Sequence, residues 1–295
     1  PALVIEVDRQ EVGIDGKSAI DEYEKETGTK VASIVNASEI YQLLSEAEVV
    51  STRRAHLDRM ANYLRVYGTQ VARELVGRLE YKVVSRDRSV IPACDVETIE
   101  QFEALVKETA DVEGIGAYKI GFELGLNYGL PKVVETARKH TQKPLIYDHQ
   151  KAGTDIPDTG KNFARTMKKA GIDGVIFFPQ AGPETERAWI YHAFDHGLKV
   201  IVGGRMTHPA YASSEGGFIT DEGALEMYRL AARAGVNHFV VPGNKLEVIE
   251  DVRKTVVMEG VEPVFFAPGF ITQGGKIEDA ARVAGEYFHG IVGRG

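Results

Sequence analysis

Residues 144–159 read PLIYDHQKAGTDIPDT. The apolar run 144–147 has the length and composition of a short buried strand. It delivers Asp148, His149, Gln150 and Lys151 into one loop, with Asp155 following after three more residues. Two carboxylates and an ammonium beside an apolar element cost free energy if they are buried without a partner or a use. Taken alone, the pattern fits a solvated turn with an Asp–Lys ion pair as well as it fits a functional cluster.

The same strand-then-charge pattern recurs on both sides of this stretch. Strand-like runs fall at residues 90–94, 117–120, 145–147, 174–178, 199–202, 238–241, 264–267 and 290–292. Helix-like segments lie between them, at 96–109, 130–140, 160–170, 184–195, 221–234, 245–257 and 276–287. Strict alternation of this kind predicts a parallel sheet closed into a (β/α)8 TIM barrel, in an α/β chain. An open doubly wound sheet is the alternative, but its early glycine fingerprint is missing. Seven helices are legible, and helices from residues 51–85 are expected to cover the open side or the bottom.

Functional side chains of such a barrel sit at the C-terminal ends of its strands. Those ends carry Asp95, Lys119, then Asp148, Lys151 and Asp155. Further round come Gln180, then Arg205, Thr207 and His208, then Pro242, Gly243 and Asn244. The last two strands lead into PGFITQGG, 268–275, and into Gly293 and Arg294. Glycines that let backbone N–H groups approach an anion, a helix starting behind them and the Arg294 cation make a candidate phosphate site. In the set Asp95, Lys119, Asp148, Lys151 and Asp155 the signs alternate, which keeps each group charged. Carboxylates holding Mg²⁺ are a competing reading, opposed by the two lysines. A Schiff-base lysine is another, opposed by carboxylates that raise a lysine pKa. A protonated lysine beside an ionised carboxylate suits stress on an anionic substrate followed by proton delivery to a carbanion. His149 is placed to touch a ligand or to shape its turn, and His208, before Pro209, to shape a loop. His192 and His196 are four apart but lack a third ligand. Cys94 reads as packing.

Composition narrows the remaining classes. A net charge of −8 argues against a general nucleic-acid binder. A single cysteine excludes a disulfide framework and a Cys-rich zinc site, and fits a reducing, cytoplasmic setting. No apolar run approaches the roughly 18 residues of a membrane span, and no signal-peptide pattern opens the chain. Pro1 stands first in place of Met, which reads as processing or excision from a longer chain.

Residues 88–295 resemble the orotidine 5′-monophosphate decarboxylases. The family pattern Asp-x-Lys-x-x-Asp-Ile-Pro-x-Thr is similar to Asp148, Lys151 and Asp155 to Thr159. MTHP, 206–209, resembles the base-binding loop, and PGFITQGG and IVGRG resemble the phosphate-binding segments. Here two residues, not one, separate Asp148 from Lys151, and three, not two, separate Lys151 from Asp155. The loop must bulge to keep the carboxylates near the lysine. The resemblance implies that Lys151 protonates C6 of the pyrimidine and that Asp148 stands by the substrate carboxylate. Asp95 and Lys119 would serve the ribose hydroxyls and the charge network, Thr207 the base, and Pro268, Gln273, Gly293 and Arg294 the phosphate end. Asp155, Ile156 and Thr159 would enter from the partner of a homodimer. It implies no metal and no organic cofactor, with orotidine 5′-monophosphate as substrate and UMP as product. Mg²⁺-dependent sugar-phosphate decarboxylases or aldolases of the same barrel type, and a silent UMP-binding homologue, are the alternatives.

Residues 1–50 read as β-α-β-α, with Ser18 and Ser38 as candidate N-caps and Gly28 as a C-cap. They resemble the C-terminal end of an orotate phosphoribosyltransferase, without its pyrophosphate loop, as in bifunctional UMP synthases. Residues 51–87 read as a helical connector and 88–295 as the barrel.

Overall fold

The computed structural model describes residues 2–46, 60–61, 63–64, 66–73, 83–148 and 153–293. The chain divides into two compact units, residues 1–81 and 82–295.

In the first unit, β1 (Ala2–Asp8) and β2 (Lys30–Asn36) pair in parallel, with Ala2 opposite Lys30. Helix α1 (Ala19–Thr27) ends on Gly28 at φ 67°, the left-handed cap that the sequence predicts. Ser18 precedes α1 but its side chain makes no cap hydrogen bond. The start of α2 (Ala37–Glu46) also differs from expectation. Ser38 lies inside the helix, and Asn36 is the cap. Asn36 Oδ1 accepts from Glu39 N at 2.8 Å, while Glu39 Oε2 accepts from Asn36 N at 2.9 Å. This reciprocal pair satisfies two backbone donors that the first turn leaves free. Tyr41, Ala61, Leu64 and Ala72 form a small buried cluster.

The second unit is a closed barrel of eight parallel strands, as the alternation predicts. In chain order they are β3 (Arg88–Cys94), β4 (Tyr118–Ile120), β5 (Leu145–Tyr147), β6 (Gly174–Phe177), β7 (Lys199–Gly203), β8 (His238–Val240), β9 (Val264–Ala267) and β10 (Phe288–Val292). Strand β10 closes the ring by pairing with both β9 and β3. The helices are α3 (Ile99–Thr109), α4 (Phe122–Tyr128), α5 (Leu130–Arg138), α6 (Thr159–Ala170), α7 (Pro183–Asp195), α8 (Asp221–Arg233), α9 (Leu246–Met258) and α10 (Ile277–Ala284). Helix α4 is absent from the sequence reading. It follows β4 directly and leaves Phe122 and Leu126 exposed, so it lacks the apolar stripe by which a helix is read. No helix of the described residues is long and apolar enough to cross a membrane.

Period-two alternation sorts each strand between two cores. Ile91, Ile146, Ile176, Ile201, Val240, Phe266 and Ile291 fill the interior. Cys94, Tyr118, Leu145, Tyr147, Val175 and Phe265 face the helical layer. Val83 and Val84, just ahead of β3, join the interior cluster. The Val83 N–H donates to Nε2 of buried His238 at the first residue of β8, 3.2 Å away, so this segment plugs the N-terminal end.

One buried group works against this packing. Glu186, in the first turn of α7, is 2% exposed and its Oε1 has no hydrogen-bond partner. Burial pushes its carboxyl up to about 9 from 4.5. Between those values the folded protein holds a proton that the unfolded chain releases, so stability falls as pH rises across the window. Glu186→Gln removes this titration. Thermal unfolding is expected to show the variant gaining on wild type between about pH 5 and about pH 8. A gap that stays constant with pH would contradict the assignment.

Candidate active site

The site is fixed by strand register. Lys119 on β4 lies opposite Ala93 on β3 and Ile146 on β5. Asp95 and Asp148 each stand two residues further along those flanking strands, on the same side of the pleat as Lys119. Lys119 Nζ meets Asp148 Oδ2 at 3.2 Å and both carboxylate oxygens of Asp95 at 3.4 Å. The Lys119 and Asp148 side chains are 10% and 7% exposed, while Asp95 is 49% exposed and faces the rim. Asp148 N donates to Ile120 O at 2.9 Å, which continues the strand pairing through the carboxylate-bearing residue. Burial opposes the ammonium form of Lys119, but the Asp148 and Asp95 carboxylates outweigh it and hold its pKa above 10.5. This buried lysine is therefore a fixed cation, as the charge alternation predicts, and not a Schiff-base nucleophile. Neighbouring Cys94 points away into the helical layer, where burial pushes its thiol up to about 12.

Residues 149–152, with His149 and Lys151, lie outside the described residues, as does Arg294. The chain is described again from Gly153, at φ 86°, where an added Cβ would lie 3.1 Å from Pro179 Cα. The segment that follows is mounted on α7 and the loop before it. Thr185 Oγ1 donates to Asp155 O at 2.9 Å, Trp189 Nε1 to Ile156 O at 3.0 Å, and Thr159 Oγ1 to Ile156 O at 2.8 Å. Asp155 Oδ1 accepts from Ile156 N, and none of its described contacts reaches Lys119, Asp148 or Asp95. Ile156 is 58% exposed. An open cleft of about 440 Å³ runs between residues 154–157 and 181–185. It does not include the Lys119 cluster, and among the described residues its walls carry no cation, so the charged rim is the better candidate for an anionic substrate.

Across the rim, the loops after β7, β8 and β9 meet. Gly269 has φ 107°, and a Cβ there would lie 2.8 Å from Thr207 Cγ2, 3.1 Å from Asn244 Oδ1 and 3.2 Å from Gln273 Oε1. Only glycine allows these three side chains to converge. Gly274, at φ 81°, turns the chain into α10. Pro268 is part-buried at the root of this loop, and its carbonyl accepts from Gly243 N at 2.7 Å. Gly293 is exposed at the end of β10.

Several rim residues carry a structural role that spacing alone did not assign. Arg205 Nη1 binds Asp221 at 2.8 Å. Hydrogen bonds from Ser214 and Ser213 hold the Asp221 carboxyl well below the usual carboxylate range. Lys245 Nζ donates to Glu215 Oε1 at 2.5 Å and to His208 O at 3.2 Å. Gln180 donates to the hydroxyl of buried Tyr211 at 2.9 Å, and the Tyr211 ring meets His208 edge-on at 5.8 Å. His208 thus shapes its loop. His196 Nδ1 and the His192 carbonyl lie 2.8 Å apart within one turn. Among the described residues no three His, Cys, Asp or Glu side chains converge as metal ligands would.

A sequence model of the orotidine 5′-phosphate decarboxylase / HUMPS family matches residues 88–295. The chain belongs to this family. The orotidine 5′-phosphate decarboxylase of Methanosarcina barkeri is 31% identical over 205 residues, covering 70% of this chain and 85% of that protein. That of Methanocaldococcus jannaschii is 29% identical over 203 residues, covering 68% and 87%. A crystal structure of orotidine 5′-monophosphate decarboxylase from Methanocaldococcus jannaschii, complexed with the inhibitor BMP, superposes with a TM-score of 0.61. It is 26% identical and covers 70% of this chain and 89% of that one. The family match begins at β3, the strand that supplies Asp95.

Proposed function

We propose that the barrel decarboxylates orotidine 5′-monophosphate to UMP and CO2, as a carboxy-lyase that needs no metal or organic cofactor. The observation that carries this reading is the buried Lys119–Asp148 pair, with half-exposed Asp95 beside it, at the C-terminal rim of a barrel in the decarboxylase family. Asp148, paired with Lys119, faces the substrate carboxylate. Its repulsion weakens as that carboxylate becomes neutral CO2, so the interaction favours the transition state over the ground state. The C6–carboxylate bond breaks, its electron pair stays on C6, and the Lys151 ammonium supplies the proton that completes UMP. Asp95 and Lys119 take the ribose hydroxyls, Thr207 the base, and Pro268, Gln273, Gly293 and Arg294 the phosphate. Sugar-phosphate chemistry through Mg²⁺ is less favoured, because a lysine ammonium occupies the space between the two carboxylates.

Asp155, Ile156 and Thr159 complete the site of a partner subunit in a homodimer. Asp155 and Ile156 are exposed on a rigidly held segment, and Phe122 and Leu126 on α4 add apolar surface after the neighbouring strand. We read residues 1–50, with their parallel β1/β2 pair, as a transferase-derived segment without transferase activity. De novo pyrimidine synthesis in the cytoplasm is the setting that suits the reaction.

Two measurements test these assignments. Purified protein is expected to consume orotidine 5′-monophosphate, followed by pyrimidine absorbance, equally with and without EDTA. Lys151→Ala should lose at least about a thousandfold in kcat/KM, within the range expected when an essential proton donor is removed. No turnover by wild type, or turnover abolished by EDTA, would overturn the reading. For the shared site, inactive Lys151→Ala and Asp155→Ala proteins are mixed after unfolding and refolding together. About one quarter of wild-type activity should return, the share of sites that random two-fold pairing leaves intact. A mixture as inactive as its components would exclude a site built from two subunits.

A further inference from the structure

Asn244 follows β8 and lies between the base loop after β7 and the phosphate loop after β9. Its Nδ2 donates to Thr207 O at 3.1 Å and to Gln273 O at 3.4 Å. One amide thus reads the backbone of both loops, at the residues whose side chains are assigned to the base and to the phosphate. Its Oδ1 is buried without a partner. That oxygen and Gln273 Oε1 both approach the point above Gly269 where a Cβ would stand, at 3.1 and 3.2 Å. Lys245, the next residue, secures the far side of the base loop through His208 O.

We infer that Asn244 is a positioning residue that sets the spacing between the base contact and the phosphate contact, and so makes the enzyme respond to a nucleotide that spans both. The inference rests on the decarboxylase reading for its substrate, but the coupling can be read from product binding alone. A backbone carbonyl that loses its donor is free to move, and Thr207 and Gln273 then meet the two ends of the nucleotide independently.

The test uses Asn244→Leu, which is similar in volume, neutral and without donors, and Asn244→Ala as a second variant. UMP affinity is measured by calorimetry and kcat/KM with orotidine 5′-monophosphate. Each is combined with Thr207→Ala, Gln273→Ala and the Thr207→Ala/Gln273→Ala pair. UMP affinity is expected to fall about tenfold in either Asn244 variant, an effect of the size that shared networks produce. The loss should fall mainly on KM, with the thermal midpoint near that of wild type. The effects of Thr207→Ala and Gln273→Ala on UMP affinity should be non-additive with Asn244 present and additive without it. Wild-type UMP affinity in both variants overturns the inference, and so does non-additivity that survives the loss of Asn244. Wild type that binds UMP without turnover overturns only the decarboxylase reading, and the binding cycle still decides the role of Asn244. Wild type that binds no UMP overturns both.

Discussion

The charged rim depends on one buried ammonium. Lys119 sits on the middle one of three adjacent strands, with a carboxylate on each side. Taking Lys119 and Asp148 out of water costs several kcal/mol for each ion, and only close pairing with further hydrogen bonding offsets it. Asp148 meets that demand from one side and half-exposed Asp95 from the other. Removing either carboxylate would leave the lysine with less than it needs. The arrangement is therefore weak as a stabilising device and strong as a means of holding charge where solvent would otherwise disperse it. Catalysis by electrostatic preorganisation needs this property.

The opposite side of the rim is built differently. There the loops after β7, β8 and β9 are joined by neutral amides and backbone carbonyls, with Gly269 letting three side chains approach one point. Among the described residues, the ion pairs on this side lie behind that surface, where Arg205, Glu215, Asp221 and Lys245 brace the base loop. On the proposed reading, fixed charges face the substrate carboxylate, while the described groups toward the base and phosphate are neutral hydrogen-bonding ones, with Arg294 as the cation proposed for the phosphate. This division matches the chemistry of a nucleotide in which one end reacts and the other is only held.

Much of this was legible in the sequence because the barrel repeats one simple pattern. An apolar run followed by a charged residue marks a strand and its rim end, which places Asp95 and Asp148 on one rim, with Lys119 inside the short strand between them. The two-residue offset that brings them together follows from parallel register, which periodicity does not give. Helix α4 escapes because Phe122 and Leu126 face outward while Leu124 alone is buried. Asn36 and Ser38 are both good caps by residue type, and only the Glu39 exchange separates them. The contacts of Asn244 and Tyr211 are unreadable for a different reason. Their partners lie 29 to 37 residues away, on loops whose approach depends on the closed barrel.

All of this requires Lys119 to be a permanent cation held by its two neighbours. Selective isotope labelling and NMR titration of the Lys119 Nζ, in wild type and in Asp148→Asn, test it most directly. Wild-type Lys119 is expected to stay charged past its ordinary 10.5, and the variant to titrate lower. A wild-type Lys119 that loses its proton below that value, or one indifferent to Asp148→Asn, would contradict it.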